Sequence, residues 1–425
     1  MLPDILEGNK IVNISIIGAG SVVFSTSFIR DLCVTGSLWG SKITLMDISK
    51  ERLNMIHNLA VRYVKETKAD LKINATMNRK EALEDADFVL CTVKVGGYQP
   101  MEMEREIAER YGYYRGIGDR VCDYYGGFGA YYQLRFFLDL ARDMEDTCPD
   151  AWLIETANPV FEGTTLISRE TKIKVVGVCH GHLGYEKIVE TLGLRPKEVS
   201  VETAGFNHCI WMTSFLYKGK DAYPLLDEWI EKEAEKYWES EEFSEGLPWE
   251  TEQMSPAAVD MYKQFGLFPI GDTVRSASPW WYHVDLETKK KWFGPTGGFD
   301  SEIGWSIYLK HREEKLRKMQ SLYEDQSASL TKEFPPVMSG EQHIPLIDSI
   351  VNDKERILQL NIPNRGVISG IPDDVVVEIP TIVSGRGVQG IHIGALPKRL
   401  MMYVMIPRML RMERILQAFI EEDRK

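Results

Sequence analysis

Short apolar runs alternate with amphipathic stretches through the first 180 residues. The runs Ile11–Ile17, Ile43–Met46, Phe88–Val93, Ala151–Glu155 and Lys174–Val178 are rich in aliphatic residues, as buried parallel strands are. Stretches with helical spacing separate them. This alternation predicts an α/β protein whose parallel sheet has helices on both faces.

The second half mixes strand and helix patterns. Val199–Gly205 and Asp373–Pro380 predict strands, and Ser255 is placed to cap a helix that runs through Phe265. Leu360–Asn364 is interpreted as a polar connection between apolar segments. Pro397–Ile420 is a helical stretch rich in Met and Leu, a composition typical of a core or a subunit interface.

The first strand runs directly into the turn G-A-G-S-V-V-F. Gly18 allows a tight turn, and Gly20 lets a pyrophosphate approach the backbone N–H groups at a helix start. The third glycine of the usual dinucleotide fingerprint is replaced by Val23, but the second strand ends in an acid that would meet an adenosine ribose. An acid at that position favours NAD over NADP. The residues expected to contact this cofactor are Gly18, Gly20, Ser21, Val22, Phe24, Asp47 and Gly96.

A second motif, V-C-H-G-H-L, follows the strand at Lys174–Val178. Topology therefore delivers Cys179 to the carboxyl edge of the sheet, where ligands bind in such folds. Cys179 with His180, His182 or His208 could bind a divalent metal, although most such cysteines are small buried hydrophobes.

Four further polar residues are candidates for substrate chemistry. Asn158 follows another strand at the same edge. Asp119 lies in a stretch rich in glycine and aromatic residues, Tyr111–Gly129, that predicts a mobile loop. Asp272 is a candidate general base, and Arg275 a candidate clamp for a hydroxyl or carboxylate, unless the two simply pair with each other.

Composition excludes several classes of function. The net charge of −13, with no long basic run, argues against nucleic acid and anionic membranes as partners. Six scattered cysteines with no framework spacing indicate reduced thiols. With no signal pattern and no long apolar run, we expect a cytoplasmic protein.

In its ordered motifs the chain resembles glycoside hydrolase family 4, and most of all the bacterial α-glucosidases of that family. The matching blocks span nearly the whole chain: G-A-G-S-V-V-F, T-L-M-D-I, Y-G-Y-Y-R-G-I, T-A-N-P-V-F-E-G-T-T-L, C-H-G-H, A-G-F-N-H-C-I-W, P-I-G-D-T-V-R, S-G-E-Q-H-I-P and D-D-V-V-V-E-I-P. The resemblance implies a fold of the lactate/malate-dehydrogenase type. We expect a Rossmann NAD-binding domain at 1–178 and a mixed α/β domain for substrate, metal and oligomerisation at 179–425.

The family's chemistry, carried over as an expectation, differs from hydrolysis by two carboxylates. NAD would oxidise C3 of the sugar, and a divalent ion, usually Mn²⁺, would polarise the resulting ketone. A base would then remove the C2 proton, the glycosidic oxygen would leave by elimination, water would add, and NADH would return the hydride.

The resemblance also implies a role for each site residue. Cys179 and His208 become the metal ligands, and Asp272 the C2 base. His180 occupies the position tied to leaving-group protonation. The expected substrate contacts are Asn158, Arg275 and His182, and Asp119 is expected to be catalytic.

Several alternatives stay open at this point. The motif C-H-G-H argues against a 6-phosphorylated substrate, but an α-glucuronide or α-galacturonide is the second candidate. A 2-hydroxy-acid dehydrogenase or a non-catalytic NAD sensor would share the fold. The expected partner is a small sugar, and we expect a homodimer or homotetramer.

Oxidation of the thiol gives a first test. Because Cys179 must be a thiol or thiolate to bind metal, oxidising the enzyme should abolish its glycosidase activity. Full activity of the oxidised enzyme without added thiol would contradict the metal assignment.

Overall fold

The computed structural model describes residues 10–112, 114 and 128–422, with side chains throughout except at 22–25 and 128–130. Its strands are β1 (Asn13–Ile17), β2 (Lys42–Met46), β3 (Lys72–Thr76), β4 (Phe88–Cys91), β5 (Trp152–Glu155), β6 (Lys174–Gly177), β7 (Val199–Phe206), β8 (Cys209–Tyr217), β9 (Lys220–Asp221), β10 (Phe268–Ile270), β11 (Arg356–Pro363), β12 (Val376–Ser384) and β13 (Gly387–Gly390).

Helices are present in both halves of the chain. Those of the first half are α1 (Val22–Val34), α2 (Lys50–Thr67), α3 (Arg79–Leu83), α4 (Gln99–Arg110), α5 (Phe128–Thr147), α6 (Val160–Glu170) and α7 (Tyr185–Thr191). Those of the second half are α8 (Tyr223–Lys232), α9 (Ala234–Trp238), α10 (Glu241–Glu245), α11 (Pro248–Thr251), α12 (Pro256–Phe265), α13 (Thr273–Ser276), α14 (Leu286–Phe293), α15 (Glu302–Glu324), α16 (Leu330–Glu333), α17 (His343–Asn352), α18 (Lys398–Leu400) and α19 (Ile406–Glu421).

All of the strands belong to one continuous sheet. Its order is β3-β2-β1-β4-β5-β6-β11-β12-β7-β8-β10, with β13 on β12 and β9 on β8. Strands β1 to β6 are parallel, and the strands from β11 onward are antiparallel to their neighbours. The parallel half has the 3-2-1-4-5-6 order of a dinucleotide-binding fold, which confirms the predicted Rossmann-type sheet.

The two halves of the sheet join where β6 meets β11, through the pair Gly177 and Asn361. A Cβ added to Gly177 would lie 2.8 Å from the Cβ of Asn361 and 2.6 Å from Val160. The Asn361 side chain also donates to the Gly177 carbonyl at 3.4 Å. Only glycine fits at this junction.

Two elements of the second half differ from the sequence-based expectation. The segment Leu360–Asn364, which was expected to be a polar connection, lies mostly in β11. Its polar character does not prevent a strand, because the amides of Gln359 and Asn361 are hydrogen-bonded inside the protein rather than to water. The predicted helix at Pro397–Ile420 contains a π turn, Met401–Met405. Pro407 follows that turn and has no N–H to donate to the preceding turn, which accounts for the irregularity.

The predicted helix start at Ser255 is confirmed. Ser255 accepts from the Ala258 N–H at the start of α12, as a cap should. The five cysteines that lie in the described ranges are free thiols. Among the helices described, none is long and apolar enough to cross a membrane.

The contact between α5 and α6 tests the packing. Gly163 is buried, and an added Cβ would lie 2.6 Å from the ring of Phe137. We expect Gly163→Ala to destabilise the protein by about 1–3 kcal/mol, because the strain of overpacking outweighs the roughly 1 kcal/mol that alanine adds to a helix. The measurement is the midpoint of urea-induced unfolding, monitored by circular dichroism.

Gly36→Ala is the matched control for this variant. An added Cβ at Gly36 meets nothing within 4 Å. Its midpoint should stay near that of the wild type. Equal midpoints for the two variants would contradict the packing argument.

Candidate active site

The turn after β1 has the geometry of a dinucleotide-binding turn. The N–H groups of Gly18 and Ala19 both donate to the Met46 carbonyl at 2.9 Å, which ties the turn to the end of β2. Gly18 has φ of 89°, and an added Cβ would lie 2.8 Å from Val93. This position therefore requires glycine.

The acid at the end of β2 is fixed against the same turn. Asp47 Oδ2 accepts from the Gly20 N–H at 2.8 Å, and Oδ1 accepts from the Ser49 N–H at 2.8 Å. A Cβ on Gly20 would lie 2.7 Å from the carboxylate. The turn and the acid thus form one unit that fits the phosphate and ribose ends of a dinucleotide.

The other expected cofactor residues surround this unit. Ser21 precedes α1, and Val22 and Phe24 lie in its first turn, although their side chains are outside the described part. Gly96 follows β4 with φ of 74°. The loop before it is held by Gln133 of α5, which donates to the Val93 carbonyl and accepts from the Val95 N–H, both at 2.9 Å. Sequence reasoning did not single out Gln133.

His208 sits in the two-residue turn between β7 and β8, with φ of 57°. Its Nε2 lies 2.9 Å from Asp272 Oδ2. The hydroxyl of Ser276 donates to the His208 carbonyl and to the Asp272 carbonyl, so the turn and the helix start are bonded together. The structure thus brings together an imidazole and an acid that are 64 residues apart in the sequence.

Cys179 lies just past the end of β6 and is partly buried. Its thiol is hydrogen-bonded to the side chain of Asn207, whose amide also donates to Glu378 Oε2 at 3.0 Å. Burial, then the negative charges of Glu378 and Asp272, raise the pKa of the Cys179 thiol well above its ordinary value. A cation at this point would offset that excess of negative charge and favour the thiolate.

The donors at this point fit a divalent metal. Thiolate sulfur and imidazole nitrogen are ligands for borderline divalent ions. Over the described ranges, no group of three or more His, Cys, Asp or Glu side chains is arranged to hold an ion. If Cys179 and His208 held an ion, the remaining coordination positions would fall to substrate oxygens or water.

Two glycines allow the Cys179 loop and the Asp272 loop to meet. Gly271 has φ of 59°, and an added Cβ would lie 2.1 Å from the Gly181 carbonyl oxygen. A Cβ on Gly184 would lie 2.7 Å from the Gly271 nitrogen. Backbone therefore packs on backbone here, and larger residues would push the loops apart.

Arg275 is buried, with 4% of its side chain exposed, and it pairs with three carboxylates. Nη1 lies 2.7 Å from Glu252 Oε2, Nε lies 3.3 Å from Asp300 Oδ1, and Nη2 contacts Asp272 Oδ1. Burial alone would lower the pKa of this guanidinium, but the three carboxylates raise it above its ordinary value. Arg275 thus pairs with Asp272, which is one of the two alternatives expected from the sequence. A role of Arg275 in binding substrate stays a prediction.

The two histidines of C-H-G-H differ in environment. His182 Nδ1 lies 3.1 Å from the Cys179 carbonyl oxygen, and burial lowers the pKa of His182 to about 4. His182 is therefore neutral and closes the turn. The His180 side chain is 60% exposed, and its Nδ1 lies 3.5 Å from Glu341 Oε1.

The last two expected residues are Asn158 and Asp119. Asn158 is partly buried after β5 and precedes a cis proline peptide. Asp119 lies outside the described residues.

Sequence reasoning missed four acids of the site, Glu252, Asp300, Glu341 and Glu378. For Glu378 a signal existed, because it is a charged residue within the apolar run V-V-V-E-I-P. Glu252 and Asp300 lie in stretches with no local pattern that marks them.

Curated relatives match most of the chain. An α-galactosidase of Bacillus subtilis is 27% identical over 91% of this chain and 84% of its own length. An α-galacturonidase of Thermoanaerobacterium saccharolyticum is 26% identical over 97% and 89%, respectively. An α-glucosidase of Erwinia rhapontici is 27% identical over 90% and 85%.

Solved structures share the fold. A Bacillus subtilis protein provisionally described as a glucosidase has a TM-score of 0.80 at 25% identity, covering 97% of this chain and 93% of that one. The 6-phospho-β-glucosidase of Thermotoga maritima, solved with manganese, NAD⁺ and glucose-6-phosphate, has a TM-score of 0.70 at 20% identity, covering 96% and 90%. A lactate dehydrogenase of Eimeria maxima has a TM-score of 0.56 at 13% identity, covering 98% and 99%, which confirms the expected type of fold.

Two family models cover nearly all of the described sequence. Residues 13–194 match the model of the family 4 glycosyl hydrolases, and residues 203–425 match the model of their C-terminal domain. Because these two models match residues in both halves of the chain, the chain belongs to glycosyl hydrolase family 4.

Proposed function

We propose that this chain hydrolyses unphosphorylated α-glucosides with two resident cofactors, NAD and a divalent metal ion. Manganese is the leading candidate for the metal. The observation that carries the proposal is the meeting of Cys179, His208 and Asp272 at the edge of a sheet that also bears a dinucleotide turn. The Thermotoga maritima relative, solved with manganese, NAD⁺ and glucose-6-phosphate, supports this pair of cofactors.

Each proposed cofactor has its own residues. Gly18, Gly20 and Asp47 would hold NAD, which supplies reversible hydride transfer at C3 of the sugar. Cys179 and His208 would hold the metal, which supplies Lewis-acid polarisation of the C3 carbonyl.

Asp272 is the proposed base for the C2 proton. Its Oδ1 is held by Arg275 and its Oδ2 by His208, so the carboxylate has little freedom to rotate. A fixed carboxylate needs no reorientation before it accepts a proton. Arg275 in turn is fixed by Glu252 and Asp300, and it acts on the reaction through Asp272.

The charge around the described site supports a neutral sugar. The ionisable groups that most shift the pKa values of Cys179, Glu378 and Glu341 are carboxylates and imidazoles. Arg275, the buried arginine nearest to Asp272 in the chain, already faces three carboxylates. A phosphate or uronate would add negative charge to this acidic setting.

An α-galacturonide is the second candidate substrate. The similarity to α-galacturonidases over nearly the whole chain favours it, and it would require a cation such as Arg120, which lies outside the described residues. The dehydrogenase alternative loses support because the chain belongs to a hydrolase family.

The first test of this function omits one component at a time. Hydrolysis of p-nitrophenyl α-glucoside should require NAD, Mn²⁺ and a thiol together. A substrate deuterated at C2 should lose its deuterium to ordinary water, because the base removes the C2 deuteron and the later addition of water returns a solvent proton to C2. The measurements are release of p-nitrophenol and the NMR spectrum of the sugar.

Three results would change the proposal in different ways. Activity that is indifferent to NAD and metal would overturn the mechanism. Turnover of the α-galacturonide with no turnover of the glucoside would keep the mechanism and replace the substrate. Net accumulation of NADH with lactate or malate would favour the dehydrogenase.

The second test replaces the arginine beside the base. We expect Arg275→Met to destabilise the fold by about 3–5 kcal/mol, because it leaves buried carboxylates unneutralised. In the folded enzyme kcat should fall about 100-fold or more with little change in KM, since Asp272 is no longer held in place. Urea unfolding and steady-state kinetics measure the two effects.

Arg169→Met is the matched control, because Arg169 also bonds two carboxylates, Glu413 and Asp374, in another part of the structure. That variant should lose stability without losing kcat. A large rise in KM with unchanged kcat for Arg275→Met would instead identify Arg275 as a substrate clamp.

A further inference from the structure

The segment before α17 carries an acid, Glu341, to the exposed histidine of the site. Ser339 is bonded to Asp31 of α1, through its N–H at 2.7 Å and its hydroxyl at 2.5 Å. The same hydroxyl accepts from the Glu341 N–H at 3.1 Å. The backbone at Glu341 is therefore fixed to the helix that follows the dinucleotide turn.

His343 fixes this segment on its other side. The centroids of the His343 and Phe28 rings are 4.4 Å apart. Nε2 of His343 lies 2.7 Å from the hydroxyl of Thr156, just past β5. His343 is fully buried. The segment thus bridges the edge of the sheet between α1 and the end of β5.

The carboxylate of Glu341 lies between two imidazoles. Oε1 is 3.5 Å from Nδ1 of His180, and Oε2 is 3.6 Å from Nδ1 of His343. Only 17% of the Glu341 side chain is exposed. Burial would raise the pKa of Glu341, but the hydrogen bond to His180 brings it below its ordinary value. The group is a carboxylate at neutral pH.

This arrangement orients the exposed histidine of the C-H-G-H motif. An imidazole that is 60% exposed has several accessible rotamers unless a partner selects one. With Nδ1 facing Glu341, the opposite edge of the ring, which bears Nε2, is directed away from the carboxylate. A carboxylate commonly orients a histidine in this way when the other nitrogen takes part in proton transfer.

We propose that Glu341 is a positioning residue that holds His180 for protonation of the departing glycosidic oxygen. This inference rests on the proposed function. As the C1–O bond breaks, its electron pair goes to the oxygen, which takes a proton from His180, while the electron pair at C2 forms the C1–C2 double bond. The aglycone leaves as a neutral alcohol, and His180 is left as a neutral imidazole.

Positioning of this kind predicts a dependence on the leaving group. A dinitrophenolate leaves without protonation, whereas a methoxide needs a proton. In Glu341→Gln, kcat/KM for methyl α-glucoside should fall about tenfold or more, and that for 2,4-dinitrophenyl α-glucoside by less than about threefold. A general loss of structure would lower both values equally.

A double-mutant cycle tests whether Glu341 acts through His180. His180→Ala should give the same selective loss, and adding Glu341→Gln to it should cause little further loss on the methyl glucoside. Glu341→Ala should behave like Glu341→Gln, so the result does not depend on one substitution.

Asp348→Asn is the matched structural control. Asp348 is a buried acid of α17, the helix that follows Glu341, and it is bonded to Ser37, Lys354 and Arg356 rather than to the site histidines. This variant should lower stability without changing the ratio of kcat/KM values between the two glucosides.

Two outcomes would overturn the inference while leaving the proposed function intact. One is an equal loss on both glucosides in Glu341→Gln, and the other is additive losses in the double variant. A wild-type enzyme that hydrolyses no glycoside with NAD and Mn²⁺ would overturn the proposed function and this inference together.

Discussion

The candidate site depends on one buried cation. Arg275 is the counter-charge for Glu252, Asp272 and Asp300, and two of these carboxylates are themselves buried. Without a cation, three carboxyl groups clustered in the interior could not all ionise, because their negative charges would repel one another. The guanidinium is also a rigid, planar donor, so it fixes directions as well as charge. The position of Asp272, and through it that of His208, follows from this cluster.

A second constraint brings these residues to Cys179. The loops at 179–184 and 271–272 touch through backbone atoms, and the contact distances leave no room for side chains at Gly184 and Gly271. The thiol follows a parallel strand, while Asp272 follows an antiparallel edge strand, β10. The site is therefore an interface between the two kinds of sheet, and it exists because the sheet continues across the junction of β6 and β11.

The sequence predicted those parts of the structure that local rules govern. The turn at Gly18 and Gly20, the acid Asp47 and the position of Cys179 all follow from strand ends in a parallel sheet. Long-range pairing carried no such signal. The strand β11 was missed because its polar residues, Gln359 and Asn361, find partners only in the folded protein. The contact between Glu341 and His180 was missed for the same reason, since the two residues come from distant segments of the chain.

The acidity of the site connects its proposed metal to its proposed substrate. Burial, and then the charges of Glu378 and Asp272, raise the pKa of the Cys179 thiol, so sulfur is a weak donor here until a cation is present. With Cys179 and His208 as the protein ligands, a cation would still need oxygen donors to complete its coordination. The hydroxyls of a neutral sugar can supply these oxygen donors without adding charge, whereas a uronate or phosphate would add negative charge beside Glu378 and Asp272. Metal and neutral sugar would thus each favour the binding of the other, as reciprocal linkage requires.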